Sequence, residues 1–229
     1  CSLADLLGLR TLPLPPTSFT IAITAPAELA ERVRAAASYP ILKVKLGTAR
    51  DVEIVRTIRE HAPSARVRVD ANGGWDADQA LAILPALAEL GVELVEQPLA
   101  PGDRAGLERL RRAQVGLPIV ADESVKSASD IVALAGLVDG VNIKLMKTGG
   151  IAGALAAIHT ARACGLRIMI GCMIESSLGV TAAAHLLPLA DWADLDGPLL
   201  IRDDPYQGVV FDGANLRLPD GPGLGVIPR

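Results

Sequence analysis

The sequence predicts an α/β chain of the (β/α)7β TIM-like barrel type, and three observations carry that prediction. Short apolar runs of strand character alternate with helix-period patterns from residue 18 to about residue 200. The strand-like runs from the second onward end at 45, 70, 96, 122, 144, 171 and about 195, so successive ends stand 22 to 27 residues apart, the length of a right-handed βαβ unit. There are eight such runs in all, a number that closes into a ring more readily than it spreads into an open sheet.

Taken in order, residues 1–17, with Pro13, Pro15 and Pro16, read as a short helical tail and an irregular connector. Strands are expected at Ser18–Ile23, Ile41–Lys45, Arg66–Asp70, Glu93–Glu96, Pro118–Asp122, Gly140–Lys144, Leu166–Gly171 and Asp191–Leu195. The first helix runs over Pro26–Ser38, with proline near its start, and the next reaches about His61. Asp76–Leu90, Gly150–Cys164 and Leu178–Leu189 are the clearest of the others. Beyond the eighth strand the rhythm stops. Val209–Leu218, centred on Asp212-Gly213, reads as a β-hairpin, and Pro219–Arg229 as an extended tail. The expected organisation is therefore a connector (1–17), a barrel (18–204) and a terminal hairpin and tail (205–229).

The 229 residues suffice for one large domain, and they are half hydrophobic but only 3% aromatic, so Ala, Leu, Val and Ile must build the core. A net charge of −4 with both signs interspersed argues against nucleic acid or an anionic membrane as partner. No apolar run is long enough to span a membrane and no signal peptide opens the chain. Three cysteines without CxxC spacing suggest neither a disulfide framework nor a zinc site, and a reducing cytoplasm is the expected location. The first residue is Cys1 rather than Met, so the chain is expected to begin inside a longer protein.

In a barrel of this kind reacting groups sit at the carboxyl ends of the strands. Those ends carry Lys45, Asp70, Glu96, Asp122, Lys144 and, on the eighth strand, Asp194 and Asp196. One charged strand end is ordinary solvation; six of eight on one rim is not. Asp70, Glu96 and Asp122 close three adjacent strands, and three converging carboxylates form a hard-oxygen site suited to Mg²⁺, with Mn²⁺ a close second. Lys45 and Lys144 end strands four apart in an eight-strand ring, opposite each other. A carbon between them could lose a proton to one and regain it from the other on the opposite face, as a racemase or epimerase requires. Removing a proton beside a carboxylate gives an enediolate, whose charge calls for a divalent cation. Lys43 lies two residues before Lys45 on the same side of its strand and adds like-charge pressure. Asp194 and Asp196 would place negative charge at the end remote from the metal, where a dipeptide's ammonium would reach. His61, His159 and His185 fall away from strand ends and read as packing or surface residues, as do Cys164 and Cys172.

As a set, Lys43-Val-Lys45, Asp70-Ala-Asn72, Glu96-Gln97-Pro98, Asp122-Glu123-Ser124, Asn142-Ile-Lys144-Leu-Met-Lys147-Thr-Gly-Gly150 and Asp194-Leu-Asp196-Gly-Pro198 resemble the enolase superfamily, muconate-lactonizing-enzyme subgroup. Within it the resemblance is closest to dipeptide epimerases of the L-Ala-D/L-Glu type, and it covers about Ser2–Pro198. The resemblance implies Lys45 and Lys144 as the acid/base pair and Asp70, Glu96 and Asp122 as Mg²⁺ ligands. It further implies Lys43 as a supporting, substrate-side lysine, Asp194 and Asp196 on the substrate amino group, and backbone contacts to substrate from the loop holding Met173 and Ile174. Gln97 and Glu123 would support the ligands. A dipeptide substrate and a role in murein-peptide recycling follow, with a homo-oligomer left open. Another reaction of the subgroup (cycloisomerisation or o-succinylbenzoate synthesis) and a catalytically incomplete barrel are the alternatives. Such proteins also carry an N-terminal α+β capping domain over the barrel mouth, and the resemblance leads to the expectation that these 229 residues are a fragment or that the cap is supplied separately.

Overall fold

The structure, a computed structural model, describes residues 1–9 and 13–229; residues 10–12 of the expected connector lie outside the described residues. A short helix α1 (Leu3–Leu6) precedes strand β1 (Phe19–Ile21) and helix α2 (Pro26–Ala35). Then come β2 (Ile41–Lys45), α3 (Asp51–His61), β3 (Arg66–Asp70), α4 (Ala77–Glu89), β4 (Val92–Glu96) and α5 (Arg104–Ala113). These are followed by β5 (Ile119–Ala121), α6 (Ala128–Leu134), β6 (Gly140–Lys144), the single turn α7 (Leu145–Thr148), α8 (Ile151–Ala163) and β7 (Arg167–Gly171). The order ends with α9 (Ser177–Ala184), β8 (Trp192–Asp194) and the short strands β9 (Tyr206–Gln207), β10 (Val210–Asp212), β11 (Asn215–Arg217) and β12 (Ile227–Pro228).

Strands β1 to β8 form one eight-stranded sheet in sequence order. Thr17, just ahead of β1, makes a parallel bridge to Ala193 of β8, and Ser18 N donates to Ala193 O at 3.2 Å. The sheet is thus a nearly closed (β/α)7β barrel, as the spacing predicts. The chain divides into two compact units, Cys1–Ser18, Val125–Ala133 and Asn142–Arg229 in one, Phe19–Ser124 and Leu134–Val141 in the other.

Within the second of these, β2 buries Leu42 and Val44, α3 buries Val55 and Ile58, and α4 buries Ala80, Leu84 and Leu87 at helical spacing. Within the first, α8 buries Ala154, Ala157, Ile158 and Ala161 and packs against β7. The near-absence of aromatic rings is therefore met with short aliphatic side chains. Helix α4 starts on a capping box, Asp76 accepting from Gln79 N while Gln79 accepts from Asp76 N.

Several elements are shorter than the sequence predicts, each for a local reason. The helix expected over Leu178–Leu189 stops at Ala184 and resumes only as a 3₁₀ turn, Leu187–Leu189, because Pro188 has no N–H to continue an α-helical ladder. Strand β5 ends at Ala121, because Asp122 N donates to the side chain of Gln97 instead of to a strand carbonyl. Strand β8 ends at Asp194, because Leu195 N donates to the hydroxyl of Thr17. The hairpin expected around Asp212-Gly213 is present as β10 and β11, and within the expected extended tail β12 runs back to pair with β9.

One device recurs at the amino-terminal ends of the strands. Asp139, just before β6, accepts from Ile119 N of β5 at 2.9 Å and from Arg111 of α5 at 2.8 Å, while its own N–H donates to Ile119 O. Asp191, just before β8, accepts from Ile168 N of β7 at 2.7 Å and pairs with Arg162 of α8 at 2.7 Å, while its own N–H donates to Ile168 O. Each aspartate ties two neighbouring strands and the helix preceding them. Replacing either with alanine strands an N–H and an arginine, and is expected to cost about 1–3 kcal/mol in urea unfolding; a loss below ~0.5 kcal/mol for both would show the brackets to be idle.

Candidate active site

Register across three strands builds the first half of the site. Lys45 pairs with Asp70 between β2 and β3, and Asp70 with Glu96 between β3 and β4. Three charged strand-terminal residues therefore stand side by side. Gln97 follows Glu96 and bends back with φ 36°, so that its Oε1 accepts from both Asp122 N (2.9 Å) and Ser124 N (3.2 Å). Its Nε2 donates to Leu99 O and Ser124 Oγ. That fully used amide fastens the segment after β5 to the end of β4 and so fixes where Asp122 begins.

Asp70, Glu96 and Asp122 are all buried, and each offers one oxygen such that the three atoms lie within 4.8 Å of one another. These residues fit a divalent cation: hard oxygens, the right number for a site that keeps room for water or substrate, and a spacing one ion can bridge. Lys43, expected on the substrate side, has its ammonium 3.0 Å from Asp70 Oδ2 and 2.8 Å from Glu96 Oε2, with a side chain only 3% exposed. Its position is among the carboxylates. Lys45 is more open, 29% exposed, and donates to Asp70 Oδ2 at 2.7 Å and Asn72 Oδ1 at 3.1 Å. Burial alone would raise the Asp70 carboxyl pKa; the ammoniums of Lys43 and Lys45 outweigh it and hold Asp70 below the usual carboxylate value.

The loops that carry these groups are clamped. Asp51, at the start of α3, accepts from Gly47 N, Thr48 N and the Thr48 hydroxyl, and from the buried indole of Trp75 at 2.7 Å. The loops after β2 and β3 touch glycine to glycine, since a Cβ on Gly74 would sit 2.9 Å from Gly47 Cα. Trp75 therefore staples the loop after β3 to the start of α3. Asn72, at φ 47°, donates its N–H to Asp70 Oδ1 and its amide to Glu123 Oε1.

The other charged strand ends lie in the unit that holds β7 and β8. Lys144 closes β6, is 6% exposed, and begins the turn α7. Asp194 and Asp196 are both buried, and Asp194 Oδ1 accepts from Ser18 Oγ at 2.7 Å. Asp196 lies beyond the strand and leads into a 3₁₀ turn, so strand alternation does not relate the two aspartates. Gly197 is required next to them, because a Cβ there would fall 2.8 Å from Met173 O and 3.1 Å from Glu175 N. Met173 and Ile174 are exposed on that loop, with Met173 N donating to the Glu175 carboxylate. Burial and then the charges of Asp194 and Asp196 push the Cys172 thiol well above its ordinary value, which disfavours the thiolate. His185 is buried with Nε2 3.2 Å from Leu224 O, a packing role as the sequence suggests.

Sequence reasoning missed Ser18, which is 176 residues from its partner Asp194 and carries no local signal, and the link from Lys45 through Asn72 to Glu123. Asn72 could have been found, since an asparagine two residues after a strand-terminal acid suits a left-handed turn.

The family profile described as "Enolase C-terminal domain-like" matches residues 25–229. The L-Ala-D/L-amino acid epimerase of Maribacter sp. is 41% identical over 229 residues, covering 98% of this chain and 66% of that protein. The substrate-liganded L-Ala-D/L-Glu epimerase from Bacillus subtilis superposes with a TM-score of 0.93 at 35% identity, over 99% of this chain and 67% of that one. A dipeptide epimerase from Cytophaga hutchinsonii, solved with Mg and the dipeptide D-Ala-L-Val, gives 0.93 at 32% identity, over 100% of this chain and 65% of that one. The chain spans 57–66% of the length of the first curated relatives it matches.

The lowered Asp70 pKa fixes a pH dependence. A carboxyl that binds its proton more weakly folded than unfolded contributes stability above the unfolded value, near ~3.9, which is lost as pH falls through the lowered folded value. Lys43→Met removes one cause of that shift, so the metal-free variant is expected to lose about 3–5 kcal/mol near neutral pH, with a shallower loss below pH ~4. Urea midpoints between pH 3 and 7 measure both; an unchanged neutral midpoint would refute the assigned role of Lys43.

Proposed function

Because this chain belongs to the enolase C-terminal domain-like family, we propose that it forms the catalytic barrel of a Mg²⁺-dependent dipeptide epimerase that inverts the C-terminal residue of its substrate. The observation that carries the reading is the buried triad Asp70, Glu96 and Asp122 with the amine of Lys45 hydrogen-bonded to its first member. The named epimerases among its relatives, one of them solved with Mg and a dipeptide, support it. Mn²⁺ would serve nearly as well as Mg²⁺.

Asp70, Glu96 and Asp122 would hold the cation, which when bound supplies positive charge to the substrate carboxylate and makes the neighbouring Cα–H acidic enough to remove. Lys45 takes or returns that proton on one face of the carbon, and Lys144 does so on the other. Their strands, β2 and β6, stand four places apart in the sheet order. Lys43 balances the carboxylates. Asp194 and Asp196 grip the substrate's α-ammonium, with Ser18 holding the Asp194 carboxylate in place. Backbone groups of the loop carrying Met173 and Ile174 contact the dipeptide between its ends. The reaction would serve murein-peptide recycling in a bacterial cytoplasm.

The test is to incubate the full-length protein with L-Ala-L-Glu and a panel of other dipeptides in D₂O with Mg²⁺ and follow Cα exchange by NMR. Exchange with inversion is expected, and absence of deuterium across the panel removes the assignment. Lys45→Ala and Lys144→Ala are each expected to suppress exchange from one stereoisomer at least ~100-fold more than from the other. Asp194→Asn with Asp196→Asn is expected to abolish activity on dipeptides; activity that survives the pair points to a substrate without an ammonium group.

A further inference from the structure

We infer that Asn72 is the positioning residue that aims the Lys45 amine, an inference resting on the acid/base role proposed for Lys45. The argument is geometric. The Lys45 nitrogen is tetrahedral, with one vertex bonded to Cε. Two of the remaining three are occupied, one by Asp70 Oδ2 at 2.7 Å and one by Asn72 Oδ1 at 3.1 Å. The direction left over is the one in which a proton is delivered, or in which the lone pair stands once the proton is gone. With Asp70 alone, the nitrogen would pivot about a single hydrogen bond, and that third vertex would sweep a cone.

The Asn72 amide has only one way to do this. Its Nδ2 donates to Glu123 Oε1 at 2.9 Å, and a carboxylate can only accept, so the nitrogen must face Glu123 and the oxygen must face Lys45. Its backbone is fixed as firmly, with φ at 47° and its N–H on Asp70 Oδ1 at 2.9 Å. Asparagine tolerates that left-handed conformation better than most side chains. The residue thus reads the position of Asp70 through its backbone and imposes it on Lys45 through its side chain. Glu123 acts one step further out, by keeping the amide from turning over.

Two measurements on the full-length protein test this. In Asn72→Ala, Cα exchange from the stereoisomer that Lys45→Ala silences is expected to fall on the order of 100-fold, the cost of losing alignment at a reacting atom. Exchange from the isomer that Lys144→Ala silences is expected to change less than about 3-fold, with KM and Mg²⁺ affinity by calorimetry also within about 3-fold. Glu123→Gln, which lets the amide flip, is expected to reproduce the asymmetry more weakly. Equal loss from both isomers, or weakened Mg²⁺ binding, overturns the inference and makes Asn72 part of the carboxylate scaffold alone. The second measurement needs no turnover: in a crystal structure of Asn72→Ala, Lys45 Nζ is expected to leave its present direction, and an unmoved nitrogen overturns the inference whatever the kinetics. If wild-type protein exchanges no dipeptide, the epimerase reading fails while that structure still decides the placement.

Discussion

Parallel strand register is the constraint from which the rest of the site follows. With Lys45 opposite Asp70 and Asp70 opposite Glu96, an amine and two carboxylates are brought within reach by backbone hydrogen bonds rather than by flexible loops. A slip of one residue in that pairing would turn every one of these side chains to the other face. The sheet holds these polar groups among buried aliphatic neighbours, such as Leu42, Val44, Val67 and Val69.

Burying so many charges requires that each be answered. Lys43 sits between Asp70 and Glu96, Gln97 divides its amide between Leu99 and the segment carrying Asp122, and Ser18 reaches Asp194 across 176 residues of sequence. An uncompensated buried carboxylate would be costly enough to unfold a domain of ordinary stability. These partners are therefore what permits the charges at the strand ends to be buried at all.

The fold was largely legible from the sequence, because the strand ends repeat at a nearly constant interval and six of the eight carry a charge. Lys45, Asp70, Glu96, Asp122 and Lys144 could be picked out by that rule alone, and the structure gathers the three acids together. What could not be read were contacts between residues far apart in the chain, such as Thr17 with Leu195, and backbone ends dictated by a side chain, such as the early close of β5 by Gln97. The eighth strand also stops short of Asp196, where the chain has already turned. Propensity describes neighbours along the chain; these features depend on neighbours across it.

The paired aspartates ahead of β6 and β8 have a bearing on how such a chain changes over time. Each brackets its strands and helix at the amino-terminal end, opposite the end that carries the charged residues. Scaffold integrity and chemical role are thereby vested in opposite termini of the same strands. Drift in the loops after the strands can retune what is bound while the brackets keep the framework upright, which gives a lineage freedom to explore new substrates at little structural risk.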